Sequence, residues 1–255
     1  MDLETRTPPA RKAWVEQIMG MPISVHLRGA SALTRAGEQA VREAFAVLRE
    51  MDRIFSTYRD DSDLMRLRRE EVDISEVSPL VREALAIGER AERDTLGAFT
   101  TLLPTPEGDL AFDPTGLVKG WGVDRAGECL LHLPGTSSCV NAGGDLLVVP
   151  SSDLAREGAG SIPWRVGIEN PRDRSQIAST VLLTHGAVAT SGTAARGAHL
   201  YDPRTGEMVG RSGSVTVVGP ALLWADIWAT ALFVGDADTA DAFDHAAPDY
   251  LSTLL

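Results

Sequence analysis

Four segments of the chain combine polar side chains and glycines at spacings that suit chemistry. In WADIWATAL, Asp226 and Thr230 stand four residues apart and so share one face of a helix that is otherwise apolar enough to be buried. A carboxylate in such a helix needs a partner. Two oxygen donors aimed the same way suit Mg²⁺, a hard cation that fills the rest of its shell with water and substrate phosphates. Pairing with one of the many arginines is the alternative. In FDPTGLVKGWGVD, Asp113, Gly116, Lys119 and Gly120 surround the entry to a helix. Such a loop offers backbone N–H and C=O groups to a phosphate or a metal, with Lys119 as a nearby cation, or it simply starts the helix. The GxGxxG and GxxxxGK[ST] spacings are both absent.

In VATSGTAARGAHLYDPRTG, His199 stands three residues ahead of an Asp-Pro-Arg-Thr-Gly turn and beside a run of small residues. A turn alone explains Asp202 and Arg204. It leaves His199 open as a general base or substrate contact, or as a structural histidine. The other histidines, His26, His132, His185 and His245, have no such context and read as structural or surface groups. VNAGGDLLVV places Gly143-Gly144 in a strand-like run, where glycines weaken packing unless a bulge or a close ligand approach calls for them.

The elements that must position these residues follow from periodicity. A polar, proline-containing arm over residues 1–17 precedes a first strand over 18–28, with Ile23, Val25 and Leu27 alternating. Val41, Ala44, Phe45, Leu48, Met51 and Phe55 form the stripe of a long helix. Ser62 caps a short helix carrying Leu64 and Leu67, and Ser78-Pro79 starts another running towards Gly97. A helix spans about 117–131. Strand-length runs over 137–150, 164–171, 180–184, 187–192, 199–209 and 214–219 come next, before helices over 222–234 and 236–247. Helices, then strands, then helices argue an α+β fold with a mixed or antiparallel sheet flanked by helices, in one domain over 18–255.

Composition narrows the class. With 255 residues, 44% hydrophobic and 24% charged, the chain is an ordinary globular protein, and disorder, collagen-like repeats and a disulfide scaffold are disfavoured. The 24 Lys and Arg against 36 Asp and Glu leave a net charge of −12, which repels phosphate backbones and argues against nucleic-acid binding. A phosphorylated small ligand then needs a local cation. Cys129 and Cys139 lack CxxC spacing and read as buried thiols. No apolar run follows the N-terminal charges and none approaches a membrane span, so the expectation is a cytoplasmic protein without signal peptide or lipobox.

Taken in order, MGMPISVHL, FSTYRDDSDLMRL, GAF, DPTGLVKGWGVDRA, VNAGGDL, VGIENP, ATSG, HLYDPRTG and SVTVVGPALLWADIWATALF resemble the ApbE family, flavin transferases that move FMN from FAD onto a protein hydroxyl. The matches are collinear from about residue 19 to 234. The resemblance implies an α+β fold with FAD as substrate in a cleft between its parts, Mg²⁺ as cofactor, and an acceptor flavoprotein or FMN-binding domain carrying a Thr or Ser. It implies that Met21 and Tyr58 border the flavin or adenine and that Ala98 and Phe99 line the pocket. Asp113 and Lys119 would contact FAD, with Leu200 against it. The Gly116 carbonyl, Asp226 and Thr230 would bind Mg²⁺, and His199 would be the base. The same site with water as acceptor would make an FAD pyrophosphatase, and without turnover an FAD-binding protein. Thr100 stands where the family usually has Asp after GAF, and the stretch from GAF to DPTGLVKG is short.

Overall fold

Two turns with left-handed backbone sit at the same end of the sheet around which the chain folds. The computed structural model describes residues 8–105, 108–157, 162–192 and 201–255. Strands β1 (Arg11–Ile18) and β2 (Met21–Gly29) pair antiparallel across Met19-Gly20, whose φ angles are 55° and 72°. These values match a two-residue hairpin to the right-handed twist of its strands. Helix α1 (Arg35–Phe55) buries the expected stripe from Val41 to Phe55, and the Thr34 hydroxyl accepts from Gly37 N at its start. Ser62 and Ser78 cap α2 (Asp63–Arg68) and α3 (Pro79–Asp94), as expected. A small ribbon of β3 (Leu102–Pro104) and β4 (Leu110–Phe112) leads into α4 (Thr115–Glu128).

The central strands follow: β5 (Thr136–Ala142) and β6 (Asp145–Pro150), then the short helix α5 (Ser152–Glu157). Next come the ribbon β7 (Trp164–Asn170) with β8 (Asp173–Leu183), and β9 (Gly186–Gly192). A hairpin of β10 (Tyr201–Asp202) and β11 (Glu207–Met208) precedes β12 (Ser214–Gly219). Helices α6 (Leu222–Val234) and α7 (Ala237–Ala246) and strand β13 (Leu251–Leu254) complete the chain. Seven strands form one sheet in the order β1-β2-β5-β6-β9-β12-β13, and every pairing in it is antiparallel. The α+β reading therefore holds.

Alternation along the strands divides the core. Ile23, Val25, Val140, Leu147, Val149, Ala187, Ala189, Val215 and Val217 pack with α1, α4 and α6 in the main core. The opposite parity, Cys139, Val148 and Val188, joins Val166, Ile168 and Leu183 beneath the β7–β8 ribbon. Cys139 is buried as expected, while Cys129 is half-buried; both are free thiols.

Expectations change at several points, among them the run over 199–209, whose described part is the hairpin of β10 and β11 and not one strand. Residues 11–17, expected in the arm, belong to edge strand β1. Its outer residues alternate exposed and half-buried, so the charges that looked like an arm are the solvent face of a strand. Gly143-Gly144 is the two-residue turn between β5 and β6, with φ of 63° and 108°, rather than a bulge inside one strand. Strand β13 was not expected; all four of its residues are exposed, so no alternation of buried and exposed side chains marks it. Among the described residues no helix is long and apolar enough to cross a membrane.

Helices α4 and α6 cross in backbone contact. A Cβ at Gly120 would lie 2.8 Å from the Leu222 carbonyl oxygen and 3.0 Å from Leu223 Cα. Alanine is the better helix former by about 1 kcal/mol, so an exposed Gly→Ala change stabilises. Gly120→Ala is expected to do the opposite, costing about 1–3 kcal/mol through overpacking. A thermal melt showing an unchanged or higher Tm would mean that the two helices do not meet there.

Candidate active site

A cavity of about 680 Å³ opens at the end of the sheet marked by the Met19-Gly20 and Gly143-Gly144 turns. Its walls are Met19–Met21, the C-terminal turn of α1 with Met51, Asp52 and Phe55, and the 56–59 loop. Phe99, the first turns of α4, Asp145, the end of β9 and the α6 residues Asp226 and Thr230 close it. Five predicted residues from separate parts of the chain therefore meet around one space with Asp226 and Thr230: Met21, Tyr58, Phe99, Gly116 and Lys119. Tyr58 is 97% exposed and stands on the lip. Gly116 packs against the Phe99 ring, which a Cβ there would meet at 3.3 Å.

The charged end of the cavity rests on Lys119. Its ammonium lies between Asp145, with which it makes a direct ion pair, and Asp226, whose carboxylate oxygens are 3.2 and 3.3 Å away. Among the described residues this lysine is a partner of the buried Asp226. Burial alone would pull the Lys119 pKa down, but the carboxylates of Asp226 and Asp145 outweigh it and hold the group above the ordinary lysine value. Asp145 is 4% and Asp226 5% exposed, so Lys119 faces two buried carboxyl groups. Asp145 Oδ1 also accepts from the Thr190 backbone N–H at 2.9 Å, which ties β6 to β9 where their ladder ends. Thr230 and Ser191 share a hydroxyl hydrogen bond of 2.9 Å, linking α6 to the end of β9.

Two other predicted residues, Ala98 and Asp113, lie away from the cavity wall. Ala98 is buried in the main core next to Phe99, away from the cavity wall. Asp113 stands just before α4, paired with Arg68 at 2.9 Å and accepting from Thr115 N at 3.0 Å, so it anchors the helix entry. His199 and Leu200 lie outside the described residues. Thr100 bonds the Glu92 carboxylate at 3.1 Å and is not part of the cavity wall. His132, His185 and His245 are exposed, and His26 is half-buried with its pKa lowered by burial.

Two further side chains, Asp145 and Asp124, hold the elements around the cavity together and were not expected from the sequence. Asp145 follows the Gly-Gly turn and shares the parity of Leu147 and Val149, the residues that face the helices; a charge on that face of an apolar strand was the available signal. Asp124 bridges α4 to the start of α6, accepting from Leu222 N and Leu223 N at 2.8 Å each.

Known proteins resemble this chain in sequence and in fold. A model of the ApbE family matches residues 19–105 and 100–252. An FAD:protein FMN transferase of Salmonella typhimurium is 30% identical over 235 residues, covering 72% of this chain and 67% of that protein. One of Haemophilus influenzae is 25% identical over 282 residues, covering 87% and 80%. The structure of an ApbE protein from Thermotoga maritima superposes with a TM-score of 0.77 at 19% identity over 96% of this chain and 94% of that one. Apo flavinyl transferase ApbE of Pseudomonas stutzeri does so with a TM-score of 0.74 at 24% identity over 100% and 96%. An α+β fold with this cavity and these relatives defines a transferase enzyme. The chain belongs to the ApbE family.

The DPRTG turn serves the fold. Arg204 donates to both oxygens of Asp202, at 3.1 and 3.0 Å, and reaches Asp236, the N-cap of α7, at 3.0 Å. Those Arg204 bonds hold the Asp202 carboxyl below the ordinary aspartate value of 3.8. Because the folded value is the lower one, its stabilisation is full above that range and disappears as the pH falls through it. Asp202→Asn is expected to cost about 1–3 kcal/mol at pH 7 in urea unfolding, the deficit shrinking towards about pH 3. A deficit that does not change with pH would place its cause outside this ion pair.

Proposed function

We propose that this chain is an FAD:protein FMN transferase that, with Mg²⁺, attaches FMN to a Thr or Ser hydroxyl of an acceptor flavoprotein and releases AMP. The observation that carries this reading is the oxygen-lined, lysine-bridged end of the cavity, where Asp226 and Thr230 stand one turn apart on α6 opposite Lys119 and Gly116 on α4. The names of the relatives point the same way.

The donor set fits a hard cation. Asp226 and Thr230 offer only oxygen, and Gly116 lines the same wall. Mg²⁺ binds through one or two carboxylates together with substrate phosphates, and the carboxylate and hydroxyl of α6 supply such oxygen donors. Asp226, Thr230 and the Gly116 carbonyl are its proposed holders. When bound, Mg²⁺ neutralises pyrophosphate charge and makes AMP a better leaving group.

The chain's own residues supply the rest. Lys119 places a fixed positive charge where a pyrophosphate would otherwise face two aspartates, offsetting the repulsion of a −12 body. Met21, Tyr58 and Phe99 offer apolar surface to the flavin or adenine ring, with Ala98 packing next to Phe99 and Asp113 fixing the α4 entry. In the transfer the acceptor oxygen bonds to the FMN-side phosphorus. The bond from that phosphorus to the bridging oxygen breaks, with its electron pair leaving on AMP, and His199 takes the hydroxyl proton. Leu200 lies against the cofactor in this reading.

The test is incubation with FAD and Mg²⁺, with and without an FMN-accepting domain, following AMP release and covalent flavin fluorescence on a denaturing gel. AMP with a fluorescent acceptor supports the transferase; AMP with only free FMN replaces it by an FAD pyrophosphatase; neither product leaves an FAD-binding protein. Asp226→Ala is expected to lower Mg²⁺-dependent turnover by about 10²-fold or more while circular dichroism stays native, and an unchanged rate removes Asp226 from the site. His199→Ala is expected to slow transfer with FAD binding kept; loss of FAD binding would make His199 a binding residue instead of a base.

A further inference from the structure

The two helices that carry the metal end of the site are joined at a point outside it. On α4, Gly116, Gly120 and Asp124 recur every four residues, and on α6, Leu222, Asp226 and Thr230 do the same, so each set runs along one side of its helix. At one end of this contact Lys119 meets Asp226. In the middle Gly120 allows the backbones to touch. At the other end the two Asp124 oxygens accept from Leu222 N and Leu223 N, both at 2.8 Å.

Helix α6 has no cap of its own. Ala221 occupies the N-cap position with extended backbone, φ −129° and ψ 139°, and no side chain there accepts a bond. Ordinarily a Ser or Asp at that position would satisfy these N–H groups from within the same helix. Here α4 does so instead, with a half-buried carboxylate that has no ion-pair partner among the described residues. Burial pushes the Asp124 pKa up to about 6, against the two backbone N–H groups that favour the charge. A cap within α6 would avoid that burden, but it would not tie α6 to α4.

We propose that Asp124 is a positioning residue for the metal end of the site, setting how far α6 slides along α4 and so placing Asp226 and Thr230 opposite Lys119 and Gly116. This rests on the FAD and Mg²⁺ reading above, and the proposal separates fixing the register from merely capping a helix.

The test compares Asp124→Ala with the double variant Asp124→Ala/Ala221→Asp, which returns a cap to α6 from its own sequence. Three quantities are read: Tm, the Mg²⁺ dependence of FAD binding by flavin fluorescence without acceptor, and the Mg²⁺ concentration for half-maximal AMP release. Asp124→Ala is expected to lower Tm and to raise the Mg²⁺ requirement by about 10–100-fold, while FAD binding without Mg²⁺ is kept. In the double variant Tm should recover and the Mg²⁺ requirement should not. Recovery of both, or a single variant with unchanged Mg²⁺ requirement, overturns the proposal and leaves Asp124 a cap. If Asp124→Ala does not fold, Asp124→Asn, which keeps one acceptor, replaces it in the same comparison. Wild-type protein that binds FAD with Mg²⁺ dependence yet releases no AMP would refute the transferase reading alone, and the binding readout would still decide the role of Asp124. Wild-type FAD binding indifferent to Mg²⁺ removes the metal premise and this proposal with it.

Discussion

The ion pair of Lys119 with Asp145 and Asp226 is the constraint on which the site and much of the fold depend. Removing Lys119 would leave Asp145 and Asp226 buried without this cation, typically at a cost of about 3–5 kcal/mol. All three elements must therefore meet with their charges in register. Helix α4 brings the lysine, the first residue of β6 brings Asp145, and the apolar helix α6 brings Asp226. The close crossing at Gly120, the Thr190 N–H on Asp145 and the Ser191–Thr230 hydroxyl bond all hold this meeting point from different sides.

The cavity is built on the ends of regular elements. Hairpin turns at Met19-Gly20 and Gly143-Gly144 form part of its rim, and the C-terminal turn of α1 and the first turns of α4 form its walls. The rigid sheet and helices carry the charged floor, whereas the lip, including the exposed Tyr58, belongs to a loop. The charged floor and the exposed lip are thus built from different kinds of element.

How much of this was legible follows from range. The α1 stripe and the serine caps of α2 and α3 depend on neighbours a few positions away and were readable directly. The Asp226 and Thr230 pair was readable for the same reason, as one helical turn. Its lysine partner was not, because Lys119 lies 107 positions earlier and no local pattern announces such a pairing. Asp145 was hidden behind the glycines before it, which drew attention as a bulge when they form a turn. Strand β1 was mistaken for an arm because an edge strand with one wet face has the composition of a polar tail. Motif order along the chain carried information that none of these local signals held, and it pointed to the family.

The separation of the three charges along the chain also has a consequence for how the molecule is made. Lys119 and Asp145 are 26 positions apart and lie on neighbouring elements, but Asp226 belongs to the last part of the chain. Contacts of such long range are reached late, since the loop that joins them must close first. A nascent chain ending before α6 contains the strands from β1 to β12 and both Lys119 and Asp145, yet lacks the helix that completes the acidic floor. Assembly of the charged end of the cavity thus coincides with the docking of α6, so a chain in which Asp226 has met Lys119 is also one whose core has closed.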